Sequence, residues 1–164
     1  MLSLRGLAVC STLLLGAWTS AIGSEVAQDI YLSGRVVNIV DGDTFDMLAQ
    51  DGVEHRIRPN GFDTPERGRP CFGEGMEALR RLLEGQTVNA HCYKLQPARG
   101  KSRARDVCRV TLAENDIGIQ MIAAGAAWHS KKWSFEQSQA ERRAYAEAEV
   151  SAMRGKAGCL WQGF

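Results

Sequence analysis

The chain has 164 residues, of which 45% are hydrophobic and 24% are charged, and its formal net charge is +1. This size and balance are typical of one globular domain with a filled core, and they exclude a repeat array or a low-complexity chain. Because the net charge is close to zero, charge alone does not indicate a nucleic-acid partner. Any such binding must come from a local basic patch.

The first 23 residues differ in character from the rest of the chain. Arg5 precedes a mostly apolar run at 6–18, too short to span a membrane, and Ala21-Ile22-Gly23 places small residues where a signal peptidase reads. We therefore expect 1–23 to be a cleaved secretory signal and 24–164 to form a single domain; the alternative is a retained membrane anchor. Since Arg5 is the only charged residue of the signal, the mature chain carries 19 basic and 19 acidic residues.

A meander of three strands is predicted next. Runs of apolar and β-branched residues are separated by the turn signals Asp41-Gly42 and Asp51-Gly52. The predicted strands are 34–40, 43–48 and 53–58. Asp43 has the same parity as the apolar Phe45 and Met47, so we expect its carboxylate at the end of an inward-facing row, where it needs a partner.

The remaining elements mix helices and strands. A loop rich in proline and glycine (59–71) precedes a helix whose apolar residues recur at helical spacing up to residue 83, and strands follow at 88–92 and 107–112. Asn115 or Asp116 can cap a short helix that ends at Gly125. Ser134 and Gln137 form a predicted capping box for a long polar helix that ends near Gly155. This order predicts an α+β chain, mainly β, built on a small closed five-stranded barrel.

The mature chain keeps four of the five cysteines, since Cys10 lies in the predicted signal. An even number in an exported chain predicts two disulfides, and no Cys-x-x-Cys spacing supports the alternative of a zinc site. Cys92 ends one predicted strand and Cys108 lies early in the next, so antiparallel return would pair them and leave Cys71 for Cys159. Four cysteines allow three connectivities, and the other two stay open at this point.

Two acidic clusters flank the predicted meander: Asp41-Gly42-Asp43-Thr44 and Asp63-Thr64-Pro65-Glu66. Either cluster alone is typical of a solvated turn. Together they are more informative, because neighbouring antiparallel strands can bring Asp43 and Asp63 close to each other. Two carboxylates without a nearby thiolate or histidine favour a hard cation such as calcium or magnesium over zinc.

Basic residues supply the local patch that the net charge lacks. Arg58 ends the third predicted strand, and Arg105 opens the fifth. The segment from His91 to Arg109 contains a single acid, Asp106, and six basic residues: Lys94, Arg99, Lys101, Arg103, Arg105 and Arg109. The guanidinium group suits bidentate phosphate contact, so this segment can be a phosphate track; the alternative is a flexible solvated loop.

These motifs resemble the staphylococcal (micrococcal, thermonuclease) nuclease family. The resemblance rests on "DGDTF" at 41–45, on an arginine five residues before "DTPE" at 63–66, and on "RDVCRV" at 105–110. It continues through "GAAW" at 125–128 and "CLW" at 159–161, and so covers nearly all of the mature chain. The resemblance implies an OB-fold, a five-stranded barrel with three helices, and a calcium-dependent nuclease that cleaves DNA and RNA.

The resemblance also implies a metal site. Asp43 and Asp63 match the calcium-binding carboxylates, and Thr64 matches the residue that offers its backbone carbonyl. Asp41 matches a nearby acid that does not bind the metal directly. The resemblance implies calcium as the cofactor that these oxygen ligands bind.

Three further matches concern the reaction itself. Glu66 matches the proposed general base, and Arg58 and Arg105 match the two phosphate-binding arginines. The implied reaction is in-line attack of water on a phosphodiester, and the products carry a 3′-phosphate.

The chain departs from the family pattern near the substrate. Arg103-Ala104 stands where many members have tyrosine-glycine, and Pro59 stands where leucine is common. Lys131 and Trp133 replace the two tyrosines that frame the base pocket of the staphylococcal enzyme. We expect Lys131 and Trp133, together with Lys101 and Arg103 of the basic segment, to bind substrate.

The predicted partner is nucleic acid, and the mature protein is expected to be a monomer without membrane contact, either periplasmic or secreted. Two alternatives remain. The first is an OB-fold module that binds nucleic acid but cleaves it weakly or not at all, and the second is an interaction protein of the cell envelope.

Overall fold

The computed structural model describes residues 29–162, and the predicted signal at 1–23 lies outside this range. The strands are β1 (Ile30–Asp41), β2 (Thr44–Ala49), β3 (Glu54–Pro59), β4 (Phe62–Asp63), β5 (Thr87–Gln96), β6 (Arg105–Leu112), β7 (Asn115–Asp116) and β8 (Trp128–His129). The helices are α1 (Phe72–Leu83), α2 (Ile117–Ala123), α3 (Gln139–Arg154) and α4 (Gly158–Trp161), and a 3-10 helix spans Lys131–Glu136.

Five of these strands close into a barrel. The meander β1–β2–β3 is antiparallel, β5 pairs with the other edge of β1, and β6 pairs with β5. The barrel closes where β3 and β6 run parallel to each other, from Ile57 beside Asp106 to Pro59 beside Cys108. This topology confirms the predicted α+β, OB-fold-like barrel. The three predicted helices correspond to α1, α2 and α3, and α4 adds one further turn.

Alternating side chains fill the barrel. Phe45, Met47 and Ile57 are fully buried, as the parity of the predicted strands required. Leu79 and Leu83 lie one turn apart on α1, so both point to one face of the helix and are also fully buried in the same core. The apolar core therefore fixes the directions in which the β1–β2 turn and the loop after β4 leave the barrel.

The strands are longer than the apolar pattern predicted. β1 begins at Ile30, β5 continues to Gln96, and β6 already begins at Arg105. The outer ends pair through backbone hydrogen bonds, for example Gln96 beside Arg105, although their side chains are polar or exposed. Much of the predicted basic connector is therefore strand, and only residues 97–104 link β5 to β6.

The prediction of Ser134 as the capping residue of the long helix is wrong. Ser138, not Ser134, caps α3: its hydroxyl accepts from the Glu141 amide (3.2 Å) and its amide donates to the Glu141 carboxylate (2.7 Å). The Ser134 hydroxyl instead donates to the carbonyl of Lys131 inside the 3-10 helix. Both serines precede a Glu or Gln by three residues, and the carboxylate forms the stronger, charged contact.

Two disulfides join elements that are distant in sequence. Cys92 and Cys108 lie directly opposite each other on β5 and β6 and are bonded. Cys71, immediately before α1, is bonded to Cys159 of α4, 88 residues further along the chain. Among residues 29–162, no helix is both long and apolar enough to cross a membrane.

Candidate active site at the barrel mouth

Two turns meet at one end of the barrel. The tight turn between β1 and β2 carries Asp41 and Asp43, and the short strand β4 leads into Asp63 and Thr64. The Thr64 hydroxyl approaches Asp43 Oδ2 at 3.4 Å. A Cβ atom at Gly42 would lie 2.6 Å from Thr64 Oγ1, so only glycine allows this approach of the two turns. The two acidic clusters of the sequence therefore form one site.

The carboxylates crowd one another in a poorly solvated place. Burial raises the pKa of Asp43 to about 6; Arg58 opposes this shift, while the charges of Asp41 and Asp63 add to it. Asp43 Oδ1 accepts from Thr44 Oγ1 (3.2 Å), and the Asp43 amide donates to Asp41 Oδ1 (3.1 Å). A negative charge at Asp43 is thus disfavoured unless a further positive charge is present.

Arg58 lies between the two predicted metal ligands. Its Nη2 atom is 2.5 Å from Asp63 Oδ1 and 3.2 Å from Asp43 Oδ2. The same guanidinium donates to the backbone carbonyls of Pro59 and Phe62, at 2.5 and 3.0 Å. These contacts hold the guanidinium group in place. They show that Arg58 neutralises part of the negative charge of the two carboxylates.

Arg105 reaches the same site from β6, the strand that runs beside β3. Its Nε atom donates to Gln96 Oε1 (2.7 Å) and its Nη1 atom donates to Thr44 Oγ1 (3.3 Å). Because Thr44 Oγ1 also contacts Asp43, a chain of polar contacts links Arg105 to the carboxylates. The start of β6 and the end of β5 therefore position this guanidinium group.

These groups border one open cavity of about 430 Å³. Glu66 is exposed on the loop after β4, and its carboxylate has no hydrogen-bond or ion-pair partner within residues 29–162. It is therefore free to contact a bound molecule. The predicted site residues that border the cavity are Asp41, Asp43, Arg58, Asp63, Thr64, Glu66, Arg105 and Trp133.

Three residues expected to bind substrate do not border this cavity. Lys131 forms an ion pair with Glu149 of α3, because the 3-10 helix turns its side chain toward that helix. Arg103 lies 3.5 Å from Glu54, and Lys101 is exposed in the turn between β5 and β6. Of the basic segment, Lys94 and Arg105 border the cavity.

Trp133 forms a partly exposed wall of the cavity. The residue is 42% exposed, and the ammonium groups of Lys94 and Lys132 lie 5.1 and 5.3 Å from the centroid of its ring. Lys94 also pairs with Glu136 at 2.7 Å. An aromatic face flanked by two cations suits a ring that is attached to an anion.

Ser130 and Gln96 belong to the site although no sequence motif indicated them. Ser130 follows β8, which pairs with β4, and its hydroxyl donates to Asp63 Oδ2 at 2.5 Å. Ser130 is buried, so this contact is shielded from water. The pairing of β4 with β8 brings residues 63 and 130 together. This long-range pairing cannot be predicted from a pattern of neighbouring residues.

The donor set fits a hard divalent cation. Asp43 and Asp63 offer carboxylate oxygens at the point where the pKa of Asp43 is raised, and a bound cation would relieve the repulsion between them. Within residues 29–162, no group of three or more His, Cys, Asp or Glu side chains is arranged to hold a metal ion. A cation here therefore needs further oxygen ligands, such as a backbone carbonyl, water or the substrate.

The chain is similar to several curated proteins, although no family model matches it. It is 26% identical to an uncharacterized endonuclease of Haemophilus influenzae over 116 residues, and 31% identical to the probable staphylococcal-like nuclease CAN3 of rice over 108 residues. These names show that the chain is similar to endonucleases and staphylococcal-like nucleases. It is also 30% identical to Protein ParB of Escherichia coli over 142 residues, which covers 79% of this chain and 72% of that protein.

The similarity covers different shares of these relatives. It extends over 70% of this chain and 62% of the Haemophilus protein, and over 66% of this chain but 26% of the rice protein. The "DGDT" and "DTPE" segments of this chain supply the two acidic turns at the barrel mouth.

Proposed function

We propose that this protein is a nuclease that hydrolyses phosphodiester bonds of DNA and RNA with the help of bound calcium. The carrying observation is that the guanidinium groups of Arg58 and Arg105, three aspartates and the unpartnered Glu66 border one open cavity. Arginine is suited to phosphate oxygens, and a carboxylate without a partner is suited to accept a proton. The names of the relatives, endonuclease and staphylococcal-like nuclease, support hydrolysis of nucleic acid in general.

Asp43, Asp63 and the Thr64 carbonyl would hold the cation. When bound, calcium supplies positive charge that neutralises a phosphate oxygen. Its preference over magnesium rests on the resemblance, because the oxygen donors suit both ions. Asp41 and Ser130 act indirectly, since they contact the Asp43 amide and the Asp63 carboxylate.

Three side chains have separate roles in the proposed reaction. Arg58 and Arg105 bind the non-bridging oxygens of the phosphodiester and stabilise the charge that builds on them. Glu66 accepts a proton from the water whose oxygen attacks phosphorus. The bond from phosphorus to the 5′-oxygen breaks, the leaving oxygen takes up a proton, and the phosphate stays on the 3′-carbon.

Substrate strands would follow the mouth of the barrel. The Trp133 ring offers a face for a nucleobase, and Lys94 beside it offers a cation for a neighbouring phosphate. Neither contact depends on base identity, which agrees with a substrate range that includes both DNA and RNA. As part of this proposal, the mature protein is exported to the periplasm or the medium, as its disulfides favour, and acts as a monomer.

Cleavage assays test the proposal directly. We expect the purified protein to cut plasmid DNA and single-stranded RNA with calcium, to stop in excess chelator, and to recover with added calcium better than with zinc. The matched variant Glu66→Gln keeps the side-chain shape but cannot accept the proton, so its turnover should fall by ~10²–10⁴-fold. Binding of both nucleic acids without cleavage by the wild type would favour the OB-fold binding module instead.

A further inference from the structure

The loop that carries Glu66 has few contacts of its own. Residues 66–70 are all exposed, and their backbone hydrogen bonds are local, from the Arg69 amide to the Glu66 carbonyl and from the Phe72 amide to the Arg69 carbonyl. The Arg67 guanidinium lies over the ring of Phe72, the first residue of α1, so this contact is also local. Such a loop cannot hold Glu66 in one place unless its two ends are fixed.

One end is fixed by strand pairing. β4 immediately precedes the loop and pairs with β8, so that Phe62 faces His129 and Asp63 faces Trp128. Thr64 is buried at the first position of the loop. The loop therefore leaves the segment around residues 128–130 in a defined direction.

The other end is fixed by the disulfide between Cys71 and Cys159. Cys71 has a φ of 66°, a left-handed conformation that costs any residue with a side chain, and its side chain caps no amide of α1. Relaxation of this backbone is opposed by the bond to α4. Loss of the bond would remove this constraint, so that only the start of α1 would hold that end of the loop.

The anchor of this bond is itself rigid. The Leu160 amide donates to the Gly125 carbonyl, and a Cβ atom at Gly125, whose φ is +65°, would lie 1.9 Å from the Ala157 carbonyl oxygen. The segment before α4 is thus packed backbone to backbone against the residues that lead into β8. Both ends of the loop are therefore tied to the same part of the molecule.

We propose that the Cys71–Cys159 disulfide is a positioning device for Glu66, and that its reduction by a dithiol lowers turnover while the barrel stays folded. The inference rests on the proposed nuclease function. Cys159 is half-buried, whereas Cys92 and Cys108 are 3% and 0% exposed, so a dithiol reaches the first bond before the second. The two disulfides thus differ in both accessibility and position.

The chemistry of the reduction is an ordinary thiol–disulfide exchange. A thiolate of the dithiol attacks the Cys159 sulfur, and the Cys71 sulfur leaves and takes up a proton. The second thiol of the reagent then attacks the mixed disulfide and releases Cys159 as a thiol. The protein disulfide gains two electrons and two protons, and the dithiol becomes a cyclic disulfide.

The test compares the two disulfides in the folded protein. Mild dithiol treatment, alkylation and peptide mapping should find Cys71 and Cys159 modified while Cys92 and Cys108 stay bonded. For the reduced protein and for a Cys71→Ser/Cys159→Ser variant, we expect kcat to fall ~10–10²-fold, with KM within about twofold, because a small displacement of a catalytic group has effects of this size. Reoxidation should restore the wild type.

The matched control is a Cys92→Ser/Cys108→Ser variant. Its thermal stability should be lower than that of the wild type, but dithiol treatment should still reduce its turnover as it does in the wild type. Faster trypsin cleavage after Arg67 in the reduced wild type would report loop release independently of catalysis. Unchanged kcat in the Cys71→Ser/Cys159→Ser variant, or an unchanged cleavage rate at Arg67, would overturn the inference. If the oxidised wild type cleaves no nucleic acid, the proposed function fails, and the trypsin result alone decides whether the bond holds the loop.

Discussion

At the scale of single residues, Arg58 and Arg105 are held at the cavity by different partners. Arg58 binds two carboxylates and two backbone carbonyls, whereas Arg105 is held by the neutral side chains of Gln96 and Thr44. The positive charge of Arg58 is therefore already compensated by two carboxylates, and that of Arg105 is not. Of the two, Arg105 is the one whose charge is more available to a phosphate.

Replacement of Arg105 tests this assignment. We expect Arg105→Ala to lower kcat by ~10²–10³-fold, since one donor to transition-state charge is lost, and to leave the circular dichroism spectrum unchanged. Arg81→Ala removes an equal charge from an exposed position on α1 and should cleave at the wild-type rate. An Arg105→Ala protein with near-normal turnover would remove this residue from the mechanism.

Ser130 tests whether the orientation of Asp63 matters. In Ser130→Ala, Asp63 loses the 2.5 Å hydrogen bond that fixes one of its oxygens. Because groups that orient a metal ligand commonly affect metal affinity, we expect the calcium concentration for half-maximal cleavage to rise ~10–10²-fold. Ser134→Ala, whose hydroxyl contacts only the Lys131 carbonyl, serves as the control, and an equal calcium midpoint in both variants would contradict the prediction.

At the scale of elements, β2 and β3 are joined across the outside of the barrel by a charged pair. Arg56 of β3 donates to both oxygens of Asp46 on β2, at 2.8 and 3.0 Å, and Asn38 of β1 donates to Asp46 Oδ2. Burial disfavours the charged form of Asp46, but the hydrogen bonds from Arg56 and Asn38 outweigh it and keep its pKa below the usual 3.8. Three strands of the meander thus share one carboxylate.

The lowered pKa of Asp46 predicts a pH-dependent contribution to stability. This contribution is fully present above the unfolded-state pKa near 3.8 and is lost as the pH falls through the lower folded-state pKa. We expect Asp46→Asn to lower the free energy of unfolding by about 1–3 kcal/mol at pH 7, and the difference from wild type to shrink below pH 4. Urea titrations at several pH values measure both effects.

Glu147→Gln is the matched control, because its partner Arg143 is 81% exposed and water screens their ion pair. This variant should lose much less stability than Asp46→Asn at pH 7. A constant difference between Asp46→Asn and wild type from pH 7 to pH 2.5 would contradict the assignment.

For the whole molecule, charge is arranged locally rather than globally. The formal net charge of +1 gives little long-range attraction for a polyanion. Lys94 and Arg105 border the cavity, while Lys101 and Arg103 lie on the turn between β5 and β6. A nucleic-acid strand longer than the cavity would pass from the first pair to the second.

Salt dependence of binding measures this arrangement. If Lys101 and Arg103 each contact a phosphate, Lys101→Gln/Arg103→Gln should reduce the slope of log affinity against log salt by ~1.4 for single strands. Arg143→Gln/Arg154→Gln changes two exposed arginines of α3 that do not border the cavity, and its slope should match wild type. An unchanged slope for the first variant would show that the β5–β6 turn takes no part in binding.

Short-range information in the sequence determined much of the fold. The Asp-Gly turns, the alternation around Phe45 and Ile57, and the apolar spacing of α1 are properties of neighbouring residues, and the structure contains all of these elements. The acidic motifs also indicated one site, because the β1–β2 turn and the segment after β3 lie at the same end of an antiparallel meander. Ser134 shows the limit of this information: Ser134 and Ser138 each precede a Gln or Glu by three residues, and only the tertiary structure shows that Ser138 caps the helix.

Only the tertiary structure decided which distant groups meet. The parallel pairing of β3 with β6 closes the barrel, the 67-residue separation between Asp63 and Ser130 is bridged by β4 and β8, and Lys131 turns away to Glu149. Each outcome depends on how the packed helices and strands are oriented relative to one another. That orientation cannot be predicted from the hydrophobic periodicity of a short segment. The sequence therefore determined which chemical groups are available, and the packing of the barrel and helices decided which of them share a cavity.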